Sequence, residues 1–187
     1  MYVPEPLEAD HDASGFDSGQ SAVDTWLREF AVAMQKKGTG RTFVWVREGD
    51  SRRRVVAYYT LAAHLIEREH LTKKMGRGMP RQLPAVLLAR LALDRSLQGQ
   101  GLGGAVLAEA IDRVANITTQ LGARYLVVDA LNTRAAAFYQ RYGFTPVPDQ
   151  QSPRLILKIA PPTRPGPGGT ALRPPELGPG QGPPATR

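Results

Sequence analysis

Apolar positions along the chain fall into alternating helix-like and strand-like blocks. Val23, Trp26, Leu27, Phe30 and Met34 recur at helical spacing and predict a first amphipathic helix. Ser18 or Ser21 can cap it, with Asp24 in a capping-box position three residues after Ser21, and Gly38 and Gly40 end it. Thr42–Val46 is rich in β-formers. With a turn at Gly49-Asp50-Ser51 and a second strand over Val55–Ala62, it predicts a hairpin. Residues 64–83 read as an irregular basic loop, with Lys73, Lys74, Arg77 and Arg81 among Gly and Pro. Ala85–Leu93 is a nearly continuous apolar run, the pattern of a strand covered on both faces. Val106, Leu107, Ala110, Ile111, Val114, Ile117 and Leu121 share one face of a long helix, and Gly122 suits its C-cap. A strand over Tyr125–Asp129, a short helix over Thr133–Arg141 ended by Gly143, and strands over Phe144–Val147 and Leu155–Ile159 complete the pattern.

This order predicts an α/β fold, a mixed central β-sheet with helices on its faces. Residues 1–17 lack periodicity and read as a lead-in, 18–160 as one domain, and 161–187 as a Pro/Gly-rich tail with almost nothing to bury. The length of 187 residues suits a single core.

Composition narrows the chemistry. The absence of cysteine excludes disulfides, thiolate metal sites and a cysteine nucleophile. His11, His64 and His70 show no paired metal-ligand spacing. No apolar run approaches the roughly 20 residues of a membrane helix. The acidic start has no basic, apolar leader, so a cytoplasmic protein is expected. The net charge of +7 is uneven: Glu5, Glu8, Asp10, Asp12 and Asp17 make the first 17 residues −5, and 18–160 carries +10. A basic body invites an anionic partner, although an arginine-rich solvated surface would look the same.

Between the Ala85–Leu93 strand and the long helix lies Gln98-Gly99-Gln100-Gly101-Leu102-Gly103-Gly104. Its glycines allow a pyrophosphate to approach the backbone, and free N–H groups at a helix start face the charge. The spacing also fits the dinucleotide fingerprint. That fold, however, begins with the strand in question and places an acidic residue about 20 positions on. Here a helix and a hairpin come first, and Asp129 lies too far along. Gln98-x-x-Gly101-x-Gly103 resembles instead the pyrophosphate signature of the GNAT acetyltransferase superfamily. Asn132-Thr133-Arg134-Ala135-Ala136-Ala137-Phe138-Tyr139-Gln140-Arg141-Tyr142-Gly143-Phe144 is similar to a second segment of that family, which packs beside the coenzyme. Phe16-Asp17-Ser18-Gly19, Gly38-Thr39-Gly40-Arg41-Thr42 and Leu87–Asp94 resemble the toxin branch of type II toxin–antitoxin pairs.

The resemblance implies a GNAT fold with splayed central strands and acetyl-CoA as cofactor. It implies that Gln98, Gly99, Gln100, Gly101, Leu102, Gly103 and Gly104 hold the pyrophosphate. The backbone of Ala92 and Leu93 would meet the pantetheine, and Asn132, Ala135 and Phe138 would lie beside the coenzyme. By residue type alone, Phe138 and Phe144 read as core. The toxin branch acetylates the α-amine of aminoacyl-tRNA and blocks translation. A ribbon-helix-helix antitoxin neutralises it, and the family suggests a homodimer.

Without a thiol, direct attack by the amine is favoured. Tyr139, protonated at neutral pH, suits a general acid for the leaving thiolate, or else packs its helix on the sheet. No carboxylate base stands out. This suits an α-amine, whose ordinary pKa of about 7.7–8.0 leaves a neutral fraction. Lys36, Lys37, Arg41, Arg77, Arg81 and Arg90 are candidates for tRNA phosphates. Arg90 interrupts an apolar strand, where it serves either the substrate or a salt bridge. Trp26 reads as core rather than as a stacking platform. Two other functions stay open: a general GNAT enzyme for small amines or protein N-termini, and a basic nucleic-acid-binding module without catalysis.

Overall fold

The computed structural model describes residues 1–147 and 153–159. The tail expected over 161–187 lies outside the described residues. In chain order the elements are β1 (Tyr2–Pro6), α1 (Ser21–Glu29), α2 (Ala31–Lys36), β2 (Arg41–Arg47), β3 (Val55–Glu67), α3 (Lys73–Gly76), β4 (Gln82–Leu93), α4 (Leu102–Leu121), β5 (Tyr125–Asp129), α5 (Thr133–Arg141), β6 (Thr145–Pro146) and β7 (Arg154–Lys158). The strands form one mixed sheet ordered β1-β2-β3-β4-β5-β7-β6. Its neighbours are antiparallel except for β4 and β5, which run parallel.

The pleat sends alternate side chains to two cores. Val44, Val46, Tyr58 and Ala92 meet Val23, Leu27 and Ala31 of α1 and α2 on one face. Phe43, Tyr59, Leu91 and Leu126 meet Val106, Leu107, Ala110 and Val114 of α4, with Phe138 and Tyr139 of α5, on the other. Gly122, in the left-handed conformation at φ 68°, caps α4 as its sequence implies. Among the described residues no helix is long and apolar enough to cross a membrane.

The structure differs from the sequence reading in three places. First, the lead-in is part of the fold: Tyr2–Pro6 pairs along β2, and Leu7 and Phe16 are buried. Two prolines in five residues hide the strand pattern, yet an edge strand tolerates them. Arg53 fastens this segment, donating to Glu5, Glu8 and Asp10 at 3.3, 3.2 and 2.6 Å.

Second, the first helix breaks at Phe30 into α1 and α2. Neither serine caps it. Gln20 holds the N-cap position without a side-chain bond, and the Asp24 carboxylate accepts from the Ser18 N–H and hydroxyl. The break leaves Phe30 and Met34 on the surface, 49% and 36% exposed.

Third, much of 64–83 is ordered. β3 continues to Glu67, and a 3-10 turn at Arg68–His70 and α3 link it to β4. His64 and the glycines around 76–78 obscured the alternation, and pairing with β4 from Ala62↔Leu87 to Glu67↔Gln82 restores it. β4 begins at Gln82, and within Ala85–Leu93 the residues Val86, Leu87, Ala89 and Arg90 are half-buried, so that run is not fully covered on both faces.

Candidate active site

β4 and β5 pair only from Ala85↔Tyr125 to Leu87↔Val127. Beyond that register the two strands part. One extra residue in β4 helps: Thr60 faces Arg90 but Leu61 faces Leu88, so the strand bulges at Ala89. Ala92 and Leu93 lie past the parting and are buried. Their main chain is the stretch that the family resemblance implies for the pantetheine.

The glycine turn closes one end of this cleft. Asp94 organises it, accepting from the Ser96 N–H and hydroxyl at 3.0 and 2.6 Å through one oxygen and from the Asp17 N–H through the other. Gly99 and Gly101 have φ of 79° and 76°, a region L side chains rarely adopt, and a Cβ at either would meet open space. Gly101 is the N-cap of α4 and provides no side-chain cap. The positive end of the helix therefore carries no side-chain cap; the Gly104 N–H donates to the Gly101 carbonyl at 3.2 Å, and Gly103 and Gly104 are buried while Gly101 and Leu102 are half-buried.

The two glutamines play a different part from the one expected. Gln98 donates from Nε2 to the carbonyls of Ser18 and Leu93, both at 2.9 Å, and Gln100 donates to the Ser96 carbonyl at 3.1 Å. Their side chains brace the turn, and the Gln98 N–H also donates to the Arg95 carbonyl at 3.2 Å, so Gln98 supports the turn from behind.

The other wall comes from α5. Asn132 is its N-cap, the side-chain oxygen accepting from the Ala135 N–H at 2.9 Å. Ala135 and Phe138 are buried in the α4–α5 core. Phe138 thus fits the core reading, with its ring 5.2 Å from Tyr139 and 5.1 Å from Tyr142. Tyr139 is fully buried between Phe138 and Phe144, and its hydroxyl has no hydrogen-bond partner among the described residues. Burial pushes its pKa far above the ordinary 10, so the phenol stays protonated. An orphaned hydroxyl, an uncapped helix start and open space over two left-handed glycines form a set that fits a phosphate-bearing thioester.

Arg90 lies on the opposite face of β4. Its guanidinium sits 3.9 Å from the centre of the Trp26 ring, which stacks on Tyr58 at 6.1 Å and 13°. Burial lowers the Arg90 pKa from its usual value. Among the described residues it has no carboxylate partner, so the salt-bridge alternative does not hold. Trp26 is half-buried and works as a platform for the cation, not only as core. Lys36 and Lys37 are exposed at the end of α2, and Arg41 is exposed at the start of β2. Arg77 and Arg81 lie at the far end of β4, away from the cleft, and Arg81 approaches Glu67 at 3.7 Å.

Sequence reasoning missed one pair at the cleft. Asp129, the last residue of β5, accepts a two-pronged contact from Arg154 of β7 at 2.7 and 2.8 Å. An acidic residue closing an apolar strand was the signal, but its partner is 25 residues away.

Residues 38–146 match the family described as an acetyltransferase (GNAT) domain. A tRNA-acetylating toxin of Mycobacterium tuberculosis is 37% identical over 159 residues, spanning 84% of this chain and 93% of the relative. The chain belongs to the GNAT acetyltransferases. Within that family its similarity lies with the toxin branch. A probable toxin TacT of Sinorhizobium fredii is 29% identical over 168 residues, covering 84% of this acetyltransferase and 91% of the relative. The structure of AtaT complexed with acetyl-methionyl-tRNAfMet superposes with a TM-score of 0.80 at 33% identity, covering 84% of this acetyltransferase and 95% of that chain. A tyrosine-to-phenylalanine variant of KacT gives the same score, identity and coverage.

Proposed function

We propose that this acetyltransferase moves acetyl from acetyl-CoA to the α-amine of an aminoacyl-tRNA and so blocks translation. The observations that carry the reading are the buried Tyr139 hydroxyl, unpartnered among the described residues, on the α4–α5 face of the sheet and the Arg90–Trp26 pair on its α1 face.

Acetyl-CoA supplies the thioester. The main chain of Gly99–Gly104 and the positive end of α4 hold its pyrophosphate, and the backbone at Ala92 and Leu93 aligns the pantetheine arm. A main-chain N–H there polarises the carbonyl as negative charge develops on its oxygen. The amine nitrogen forms its bond to the carbonyl carbon, the carbon–sulfur bond breaks, and Tyr139 gives the sulfur its proton. The proton lost by the amine passes to water, from which Tyr139 is reprotonated. An α-amine needs no protein base, because a fraction is neutral near pH 7. Arg90 meets the acceptor end of the tRNA, with Lys36, Lys37, Arg41, Arg77 and Arg81 as further phosphate contacts. The similarity to a tRNA-acetylating toxin and to AtaT with its acetylated tRNA supports this acceptor.

The partner we assign is an antitoxin, supported by the similarity to AtaT bound to the C-terminus of its antitoxin AtaR, and the family resemblance implies that it is of the ribbon-helix-helix type. We assign a homodimer as the working assembly, and the cytoplasm, where charged tRNA resides, as the compartment. Radiolabelled acetyl-CoA incubated with charged tRNA, uncharged tRNA and a lysine-rich protein tests the acceptor. Label is expected on charged tRNA alone. Label on the protein with none on charged tRNA would falsify the reading.

A further inference from the structure

β2 begins at Arg41, which faces Leu61, while β3 continues for six more residues. From Ala62 to Glu67, β3 pairs with β4 on one side only, and among the described residues nothing pairs with its other edge. Gly38, at φ 72°, turns the chain out of α2, and β2 starts only after Gly40, so the strand that would continue this edge is missing. The free edge is about 20 Å long at 3.3 Å per residue.

Proteins normally blunt such an edge with lysine, proline or a bulge. Over 62–67 this edge has no lysine, proline or bulge, and the charged side chain at its end, Glu67, is engaged by Gln82 at 2.8 Å and Arg81 at 3.7 Å. Instead it borders an apolar groove of about 1190 Å³ between β3 and the C-terminal half of α4. Ala63 is exposed there, Leu65 is 56% exposed, and Ile117 of α4 is 39% exposed. His64 lines the groove with a buried Nε2 that has no partner among the described residues. Among the described residues no carboxylate lines it. Arg41 lies in its wall, and the exposed Lys36 and Lys37 stand at the end of the adjoining α2.

We propose that this groove docks an extended polypeptide segment of a partner, with alternating apolar and acidic residues, as an added strand on β3 at Ala62–Glu67. The edge supplies main-chain hydrogen bonds. The apolar trough takes every second side chain, and the basic rim selects acidic ones. An RNA strand would find phosphate contacts on the rim but no use for the strand edge or the apolar floor. Ile117 lies about 24 Å along α4 from Gly101 at 1.5 Å per residue, so a docked segment leaves the coenzyme end open. The proposal does not depend on which amine the enzyme acetylates.

The test uses a fluorescein-labelled twelve-residue peptide of alternating valine and glutamate, its valine–lysine counterpart and a single-stranded RNA dodecamer, each added to the full chain. Fluorescence anisotropy reads binding, and amide hydrogen exchange reads its place. The acidic peptide is expected to bind and to slow exchange at 62–67. Ile117→Asp, a surface change on α4, should weaken it at least tenfold and leave acetyl-CoA affinity unchanged. Ala63→Pro, which puts a ring into the edge, should do the same, and Ile117→Asp keeps the test open if that variant fails to fold. Equal binding of the acidic and basic peptides, protection of 62–67 by RNA but not by the acidic peptide, or no protection at all overturns the proposal. So does a protein that sediments as a dimer with these amides already protected, which would give the edge to a second copy.

Discussion

The guanidinium of Arg90 lies over the indole of Trp26, 3.9 Å from the ring centre, and joins a strand at the cleft to the first helix. A cation–π contact of this kind contributes about 0.5–2 kcal/mol, depending on its exposure. It holds a positive charge at the cleft where a flexible side chain would otherwise drift. Arg90→Gln should weaken binding of charged tRNA about three- to tenfold and reduce the salt slope by about one phosphate contact. Trp26→Leu, which keeps the charge but frees it, should cost less and leave the slope in place. Binding titrations across about 50–200 mM salt separate the two outcomes.

Tyr139→Phe removes a buried hydroxyl that has no hydrogen-bond partner among the described residues, so its thermal midpoint should hold or rise slightly. Turnover should fall roughly a hundredfold or more, the scale on which general acids act. Acetyl-CoA affinity should persist. Calorimetric titration with acetyl-CoA beside a steady-state assay checks both, and an unchanged rate would remove the phenol from the chemistry.

Gly101→Val places a branched side chain at φ 76°, where strain and not crowding is the cost, since a Cβ there meets open space. The left-handed conformation costs a non-glycine residue roughly 1–2 kcal/mol. A turn that relaxes away from it should weaken acetyl-CoA about tenfold. Gly99→Val should behave alike. Equal coenzyme affinity in both variants would move the pyrophosphate elsewhere.

Asn132 caps α5 and thereby sets the helix that carries Tyr139. Asn132→Ala should cost about 1 kcal/mol, lowering the melting temperature by about 2–4 °C. Asn132→Asp should restore most of the loss. A coenzyme contact through the same side chain would appear as a separate fall in acetyl-CoA affinity that aspartate does not repair.

Arg53 beside Asp10 holds that carboxyl below its ordinary 3.8, chiefly through their hydrogen bond. A carboxyl depressed in the folded state stabilises the fold above its unfolded pKa, and the benefit fades as pH falls through the lower, folded value. Thermal melts should therefore show a loss of stability below about pH 4 that Arg53→Ala lacks, because the substitution has already removed it. Parallel melts of the two proteins from neutral pH to about pH 3 check this, and identical slopes would dismiss the contact.

What the amino-acid sequence determined by itself was local. Apolar spacing marked out α4, α5, the β2–β3 hairpin and the β4 run, because helix and strand periods are written in neighbouring residues. Gly99, Gly101 and Gly122 declared a turn and a cap, since few other residues accept their φ. The two motifs flanking β5 pointed to the same family as the comparisons. Tertiary structure decided what depends on partners far away in the chain. Tyr2–Pro6 becomes a strand only because β2 offers an edge, and residues 62–67 become one only because β4 returns alongside. Gln98 turns inward because Ser18, 80 residues earlier, ends beside Leu93. Arg90 finds an aromatic ring instead of a carboxylate because α1 packs across β4 on that face. The glycine turn announces a phosphate site, but the cleft beside it exists only where β4 and β5, after Leu87↔Val127, stop pairing. Hydrogen bonds between strands are made across space, so no run of neighbouring residues could say where they would end.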